Sequence, residues 1–339
     1  MADAAPGTCC PTRDRLGPAS GWRSGTMAFR PGRIARASAS KRWIATAALL
    51  AAAGHAAAQD FEPRAYGNVP VGMNFAVVGG VHTRGGLNFD ASIPATNEDL
   101  RTTSLVLGYA HAFALWGRSA KFDAAVPYTR LSGSADYPGL PVERKVTGFG
   151  RPVMRLSMNF HGAPALSMAE FRDWNQDLII GASLQVSPPL GQYDEDRIVN
   201  ITANRWSFKP ELGLSKATGP WIGEVKLGAT FFTDNDDFYG GVTRSQQPVY
   251  ALQGNLIRSL PSGAWWSFDA TYFAGGRSQL DGRYNRDLQQ NWRVGASLSL
   301  PVDRRNSVKL AVSSGVYART GNEFDAVGVS WQHRWGGGL

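Results

Sequence analysis

Eleven charged side chains fall at alternate positions along segments with a strand-like pattern, and eight of them are basic. They are Arg151, Arg155, Lys209, Glu211, Glu224, Lys226, Asp269, Arg293, Lys309, Arg319 and Arg334. Charges of both signs on one face of a sheet can pair, as Glu211 and Lys226 would if their strands were antiparallel neighbours. If the sheet closed, this face would line an interior. Two interpretations stay open: an ion network that fills the interior, or the lining of a path for small solutes.

Residues for catalysis or metal binding are sparse outside this set. The histidines of the central and C-terminal parts form no metal-spaced pair, and neither G-x-S-x-G nor H-E-x-x-H occurs. A hydrolase that uses His333 with a serine partner stays open as an alternative. The acidic stretch Asp234–Asp237 could hold a divalent cation, but it lacks the glycine of a calcium loop and favours a solvated loop. We therefore expect no cofactor, no resident metal and no enzymatic activity.

Alternation of apolar and polar residues runs through the segments that carry the charges. The last segment has the outward-type series Val327, Val329, Trp331, His333 and Trp335. A period of two is typical of a strand with two unlike faces. Twelve strands are predicted, near 70–83, 101–112, 120–131, 147–160, 177–189, 203–215, 221–233, 248–259, 264–276, 290–301, 307–319 and 324–335.

The connections between these strands alternate in length. Short ones lie at 216–220, 260–263 and 302–306, and longer polar ones at 84–100, 132–146, 233–247 and 277–289. This pattern predicts an all-β fold: a single antiparallel transmembrane β-barrel with short periplasmic turns and long extracellular loops. A barrel of this size should have a narrow interior, partly filled by long side chains.

One connection on the short side, 161–176, is too long for a simple turn. It contains Ser167 and Glu170 at the spacing of a capping box, which predicts the start of a short helix. An ordered loop without a binding partner is the alternative.

Aromatic residues cluster at the predicted strand ends. Amphipathic rings favour the headgroup level of a membrane, so these residues predict two girdles. The tryptophans assigned to them are Trp116, Trp206, Trp221, Trp266, Trp292, Trp331 and Trp335.

The first part of the chain has the pattern of an export signal. Basic residues at 30–42 precede a short apolar run at 43–53 and the small residues Ala56–Ala58, which suit signal-peptide cleavage. We predict that translation starts at Met27, so that 1–26 is an upstream stretch wrongly included in the gene, and that a signal peptide at 27–58 precedes a barrel at 59–339.

Removal of the signal would change the charge and the cysteine content. The whole chain has a net charge of +8, but residues 1–58 hold eight basic and two acidic residues, leaving 27 basic and 25 acidic residues and a charge of +2. The basic character therefore gives no support for nucleic-acid binding. Both cysteines, Cys9 and Cys10, lie upstream, which suits passage through an oxidising periplasm.

Several motifs resemble one bacterial outer-membrane family. They are Pro188–Tyr193 (PPLGQY), Asn204–Glu211 (NRWSFKPE), Phe231–Phe238 (FFTDNDDF), Gly162–Leu166 (GAPAL) and Trp331–Trp335 (WQHRW). These segments are similar to the family described as putative MetA-pathway of phenol degradation, whose members are often labelled transporters. The likeness covers about 70–335. It implies an outer-membrane barrel linked to aromatic catabolism. Many such barrels end in an aromatic residue, whereas here Gly336–Leu339 follow Trp335.

These observations lead to an expected function and two alternatives. The leading expectation is an outer-membrane transporter or channel for small molecules, such as aromatic compounds or small organic anions. A structural barrel that acts through its extracellular loops is the first alternative, and an outer-membrane hydrolase is the second. Expected partners are outer-membrane lipid, the barrel-assembly machinery and a small aromatic or anionic solute. A fully hydrophobic solute would need an apolar site near the outer rim, which the alternation does not display.

Overall fold

The computed structural model describes residues 62–86, 96–137, 140–319 and 323–339. The predicted upstream extension, the signal peptide and its cleavage site lie outside the described residues.

Seventeen strands and one short helix make up the described chain. The strands are β1 (Met73–Gly86), β2 (Thr96–Leu115), β3 (Arg118–Tyr137), β4 (Leu140–Phe149), β5 (Val153–His161), β6 (Leu178–Ser187), β7 (Ser207–Thr218), β8 (Trp221–Phe232), β9 (Asn235–Phe238), β10 (Val242–Gln246), β11 (Val249–Ser259), β12 (Trp265–Gly275), β13 (Ser278–Leu280), β14 (Arg283–Tyr284), β15 (Gln289–Pro301), β16 (Asn306–Ala318) and β17 (Glu323–Gly336). The helix is α1 (Met168–Phe171). None of the described helical residues belongs to a helix long and apolar enough to cross a membrane.

The main sheet closes into a barrel. β1 pairs antiparallel with β2 on one side and with β17 on the other, which joins the two ends of the sheet. β4 pairs with residues 128–137 of β3, and β5 pairs with residues 120–125 of the same strand. The two therefore occupy one strand position of the barrel, with an interruption at 150–152. Counted in this way, the barrel has twelve strands, which confirms the predicted number and architecture.

The interruption has a local cause. Pro152 has no backbone N–H to donate to a ladder. The N–H of Gly150 bonds instead to the carbonyl of Pro127 at 2.8 Å, so the chain bends at this point. The sequence analysis predicted one continuous strand over 147–160; the structure divides it.

The two ends of the barrel differ in their connections. At one end β2 and β3 join through Trp116 and Gly117, both with positive φ (51° and 73°), as the two central residues of a type I′ hairpin require. At the other end the connections after β8 and β12 form a separate four-stranded sheet of β9, β10, β13 and β14. We call these the short-turn end and the long-loop end.

Strand alternation separates an apolar outer face from a polar inner one. On β8, Val225 and Leu227 are 51% and 56% exposed, whereas Glu224 and Lys226 are each 3% exposed. A soluble sandwich would bury the first pair and expose the second. The reverse arrangement is expected when lipid surrounds the barrel and polar groups fill it.

The predicted girdle tryptophans are all exposed or half-buried. Trp221 and Trp266 pack edge to face at 5.5 Å at the short-turn end. Trp292 contacts Tyr272 at 4.9 Å near the long-loop end. By contrast, the neighbouring Trp265 points inward and is fully buried.

Candidate functional site

A segment that precedes the first strand occupies the barrel interior. We call residues 62–72 the plug. Its residues Glu62, Arg64, Tyr66 and Asn68 are each no more than 6% exposed. They contact inward side chains of β5, β6, β7, β8, β11 and β12, which surround the segment. The sequence analysis expected long wall side chains to narrow the lumen. In the structure, the lumen is narrowed chiefly by the backbone and side chains of the plug, which is not part of the barrel wall.

The deepest contact of the plug is an ion pair made by Glu62. Both carboxylate oxygens accept hydrogen bonds from the guanidinium of Arg155, at 2.6 Å for the Nη2–Oε1 pair. The same guanidinium also pairs with the wall residue Asp123 at 3.1 Å. Lys226 donates to the backbone carbonyl of Glu62 at 2.8 Å. Bidentate arginine–carboxylate pairs fix geometry strongly, so this contact anchors the tip of the plug.

Arg64 makes the second anchor. Its backbone N–H donates to Glu224 at 2.8 Å, and its side chain donates to the hydroxyl of Ser259. The guanidinium lies over the ring of the buried Trp265 at 5.2 Å. The ammonium of Lys309 lies 5.8 Å from the centre of the same ring. The aromatic face thus stabilises one cation from the plug and one from the wall.

Tyr66 fits against two wall glycines. A Cβ atom at Gly213 would lie 1.9 Å from Cε2 of Tyr66, and one at Gly181 would lie 2.6 Å from Cδ1. Both distances are shorter than side-chain atoms tolerate, so the ring requires glycine at these positions. The hydroxyl donates to Glu211 at 3.1 Å. The hydroxyl also lies 3.3 Å from that of Ser183. The third anchor therefore combines close packing of the ring against two glycines with hydrogen bonds from its hydroxyl.

The connection between β5 and β6 holds the base of the plug. Asn68 donates to the carbonyl of Pro164 at 3.1 Å, and the N–H of Val71 donates to that of Leu166 at 2.9 Å. Phe171 of α1 is buried and stacks on Trp174, whose ring packs on the cluster around Tyr66.

The predicted capping box of α1 is confirmed. Ser167 accepts from the N–H of Glu170, and the Glu170 carboxylate accepts from the hydroxyl and N–H of Ser167. These hydrogen bonds hold the pKa of Glu170 below its ordinary value. The helix thus forms part of the support for the plug.

A small cavity lies between the plug and the wall. The cavity lined by Ala65, Gly67, Val69, Lys121 and Asn159, among others, measures about 10 Å³. This is near the minimum that one water molecule needs.

At the long-loop end, the connection 188–206 contacts the inward face of the wall. Its residue Val199 packs with the inward residues Leu100, Leu131 and Phe324. Arg144 donates to the carbonyl of Val199 at 3.2 Å. Strand alternation predicts no apolar site here, and it missed this one because the apolar residues come partly from the connection.

Seven of the eleven charged residues predicted as lumen-lining lie around the plug. They are Arg155, Lys209, Glu211, Glu224, Lys226, Asp269 and Lys309. Asp269 accepts from Asn255 at 2.6 Å and from Ser267 at 3.1 Å. The strand carrying Lys121 and Asp123 adds two inward charges that the sequence analysis did not select, although their alternation with Phe122 is visible in the sequence.

The remaining four occupy other levels. Arg293 lies nearer the long-loop end, donates to the carbonyl of Phe324 at 2.9 Å and stacks on its ring. Arg151 is half-buried in the strand interruption. Arg334 lies at the short-turn rim, where it donates to the carbonyl of Arg304 at 2.7 Å.

Arg319 does not face the lumen, and this corrects its assignment. It is exposed at the long-loop rim and donates to Gln290 at 2.8 Å. Arg293 pairs with Gly315 but Trp292 pairs with Tyr317, so a bulge at Val316 lies between them. One extra residue reverses the alternation, which moves every later side chain to the other face.

The pairing of Glu211 with Lys226 also needs correction. Both face inward, but Glu211 lies opposite Gly228, and Lys226 opposite Gly213. The ion pair of Glu211 is with Lys209, two residues earlier on the same strand, at 3.3 Å. Lys226 instead donates a hydrogen bond to the backbone carbonyl of Glu62 in the plug.

The alternative sites found in the sequence have other contacts. A ring nitrogen of His333 lies 2.9 Å from the amide oxygen of Asn306 rather than beside a serine. Across the described ranges, no group of three or more His, Cys, Asp or Glu residues could hold a metal ion.

The geometry therefore defines a closed transmembrane-type barrel whose interior holds the segment that precedes its first strand. The chain belongs to the family described as "Putative MetA-pathway of phenol degradation", whose model matches residues 83–332. The match begins after the plug. A sequence search among curated proteins found no significant match.

One solved structure supports this fold. An outer membrane channel from Pseudomonas putida F1 is 19% identical, with a TM-score of 0.69 over 81% of this chain and 100% of that one. Much weaker likenesses are the KdgM porin (11% identity, TM-score 0.41, 76% and 98% covered) and the beta domain of the Bordetella autotransporter BrkA (13%, 0.43, 78% and 100%).

Proposed function

We propose that this protein is an outer-membrane channel for small solutes, and that the plug closes it in the conformation described. The observation that carries the proposal is the insertion of residues 62–72 into a polar lumen. A barrel with a purely structural role could fill its interior with wall side chains alone. Here the wall keeps an interior wide enough for a separate segment, which can leave without breaking the barrel.

The wall charges support small organic anions, including aromatic acids, as solutes. Around and above the plug the wall contributes six basic residues and four acidic ones. The basic residues are Lys121, Arg155, Lys209, Lys226, Arg293 and Lys309, and the acidic ones are Asp123, Glu211, Glu224 and Asp269. A basic lumen lowers the barrier for anions relative to cations. The family description, which refers to phenol degradation, agrees with aromatic solutes.

The outer surface supports a location in the outer membrane. Apolar side chains cover the outward face at mid-strand, and tryptophans lie towards both ends. The barrel fold is shared with an outer membrane channel from Pseudomonas putida F1. Lipid and the barrel-assembly machinery are the partners that such a barrel requires.

Deleting residues 62–70 tests the channel function. A plug seated in roughly 99% of molecules would hold the average conductance about 100-fold below that of the open barrel. We expect the deletion variant to conduct steadily in planar bilayers, with anions preferred over cations, and the intact chain to conduct in rare, brief openings.

Two controls complete this test. Liposome uptake of benzoate by the deletion variant should follow its conductance, and a gel shift between unboiled and boiled samples should show that the barrel is folded. A folded deletion variant that neither conducts nor takes up solute would contradict the channel proposal.

A loop-mediated role is the second candidate, and one observation favours it. The connections after β8 and β12 form an ordered four-stranded sheet with Tyr239 and Tyr284 exposed by 40% and 51%. Such a surface suits contact with another macromolecule. This candidate would lead if the deletion variant proved closed.

Export should leave the plug at the start of the mature chain. We propose cleavage after Ala58, so that Glu62 becomes the fourth residue. Mass spectrometry of outer-membrane fractions should find Gln59 at the N-terminus. A mature protein that retained Trp43 would contradict the signal-peptide assignment.

A further inference from the structure

The carboxylate of Glu62 is held as a bound ligand would be. It belongs to the plug, whereas the groups that hold it belong to the wall. Arg155 binds both oxygens, and Lys226 donates to the backbone carbonyl of the same residue at 2.8 Å. Lys121 donates to the carbonyl of Ala65 at 3.1 Å and adds favourable charge near Glu62. The wall thus presents a cationic site, and the plug supplies the acid.

The chemistry of this site is that of carboxylate recognition. The planar guanidinium of arginine matches the two oxygens of a carboxylate, which a chloride or a single hydroxyl cannot reproduce. The side chain of Arg155 is only 11% exposed and that of Glu62 only 8%, so the pair is shielded from water.

Departure of the plug would leave the site cationic. The wall acids nearest to these bases are Asp123, Glu211 and Glu224, and each already has partners in the wall. Asp123 contacts Nε and Nη2 of Arg155 at 3.1–3.2 Å and remains when the plug leaves. Glu62 shares Nη2 with Asp123 and also contacts Nη1, which Asp123 does not contact. A buried guanidinium that loses one of two carboxylates favours a replacement of the same kind.

We propose that Arg155, Lys121 and Lys226 form a binding site for the carboxylate group of a small solute, and that Glu62 occupies this site as a tethered competitor. The binding itself stands on the contacts above, while its role in opening the lumen rests on the proposed channel function. Solute carboxylate and seated plug exclude each other at this site. By linkage, a carboxylate that binds the vacant site shifts the equilibrium between seated and displaced plug towards the displaced state.

Removing the tethered acid should expose the site to a free one. We expect the Glu62→Ala variant to bind benzoate at least about tenfold more tightly than the intact chain in calorimetric titrations, because the competitor is gone. Benzamide, of the same shape without the charge, should bind neither protein. Glu143→Ala removes an exposed glutamate at the long-loop end and should leave benzoate affinity unchanged.

The wall residues are tested in the same background. Arg155→Gln added to Glu62→Ala should abolish benzoate binding, and Lys121→Gln should weaken it. If the Arg155→Gln variant does not fold, the Lys121→Gln variant still tests the site. The gel shift between boiled and unboiled samples shows whether each variant is folded.

Displacement of the plug has its own measurement. The chain cleaved after Ala58 contains no cysteine, so the thiol introduced by Ala65→Cys can be labelled specifically. It should react with a membrane-impermeant maleimide faster in benzoate than in benzamide. Equal benzoate affinity in Glu62→Ala and the intact chain would overturn the carboxylate site even if the deletion variant conducts. Tight benzoate binding by Glu62→Ala beside a non-conducting deletion variant would support the site and contradict the channel.

Discussion

Replacing Gly213 with leucine is expected to drive the plug out of the lumen and open the barrel. A Cβ atom at this position would already lie 1.9 Å from the ring of Tyr66, and leucine adds three more carbon atoms. Overpacking of this kind costs about 3 kcal/mol, which shifts the seated population on the order of 100-fold. Gly213 does not have a positive φ, so leucine itself fits the strand. Bilayer conductance close to that of the plug-deleted chain is the expected result.

Two matched variants show whether the effect is one of shape. Gly223 lies on the outward face of β8, and a Cβ atom there meets nothing within 4 Å. Gly223→Leu should therefore leave the barrel closed. Adding Tyr66→Ala to Gly213→Leu should make room for the leucine and restore closure. A Gly213→Leu barrel that folds but stays closed would mean that Tyr66 is not held where the structure places it.

Placing arginine at Leu227 should destabilise the folded barrel in lipid by about 2–4 kcal/mol. Leu227 lies at the middle of β8, points outward and is 56% exposed, so its replacement puts a charge at the centre of the hydrocarbon. Denaturant unfolding in lipid vesicles, followed by tryptophan fluorescence, measures the loss.

The control for this substitution lies in a connection rather than a strand. Leu190 is 57% exposed within 188–206, and Leu190→Arg should change the unfolding free energy by less than about 0.5 kcal/mol. Equal effects of the two substitutions would mean that the outward face of β8 does not meet lipid.

The fold could be predicted in detail because period-two alternation is a local property. The inward or outward position of each residue on β8 follows from its neighbours two places away. Two of the wrong predictions fall where the period itself broke. The bulge at Val316 reversed the alternation before Arg319, and the predicted strand 147–160 is divided into β4 and β5 near Pro152.

The plug could not be found in this way, because its contacts are distant in the sequence. Glu62 meets Arg155 across 93 positions, and Arg64 meets Glu224 across 160. One sign was present: Gly181 and Gly213 occur at inward positions in neighbouring strands, and glycine there allows another group to approach closely.

The path of the plug determines how it responds to a pulling force. Its first described residue is its deepest anchor, and the chain then descends past Arg64, Tyr66 and Asn68 to the short-turn rim before β1 begins. A force applied at the Glu62 end of the plug would break these anchors one after another, starting with Glu62, so the plug would be peeled from the wall. The seam between β1 and β17 has 14 paired residues that lie along the strand axis and would be loaded together in shear. Peeling needs far less force than shearing, so mechanical extraction of the plug would leave the barrel wall intact.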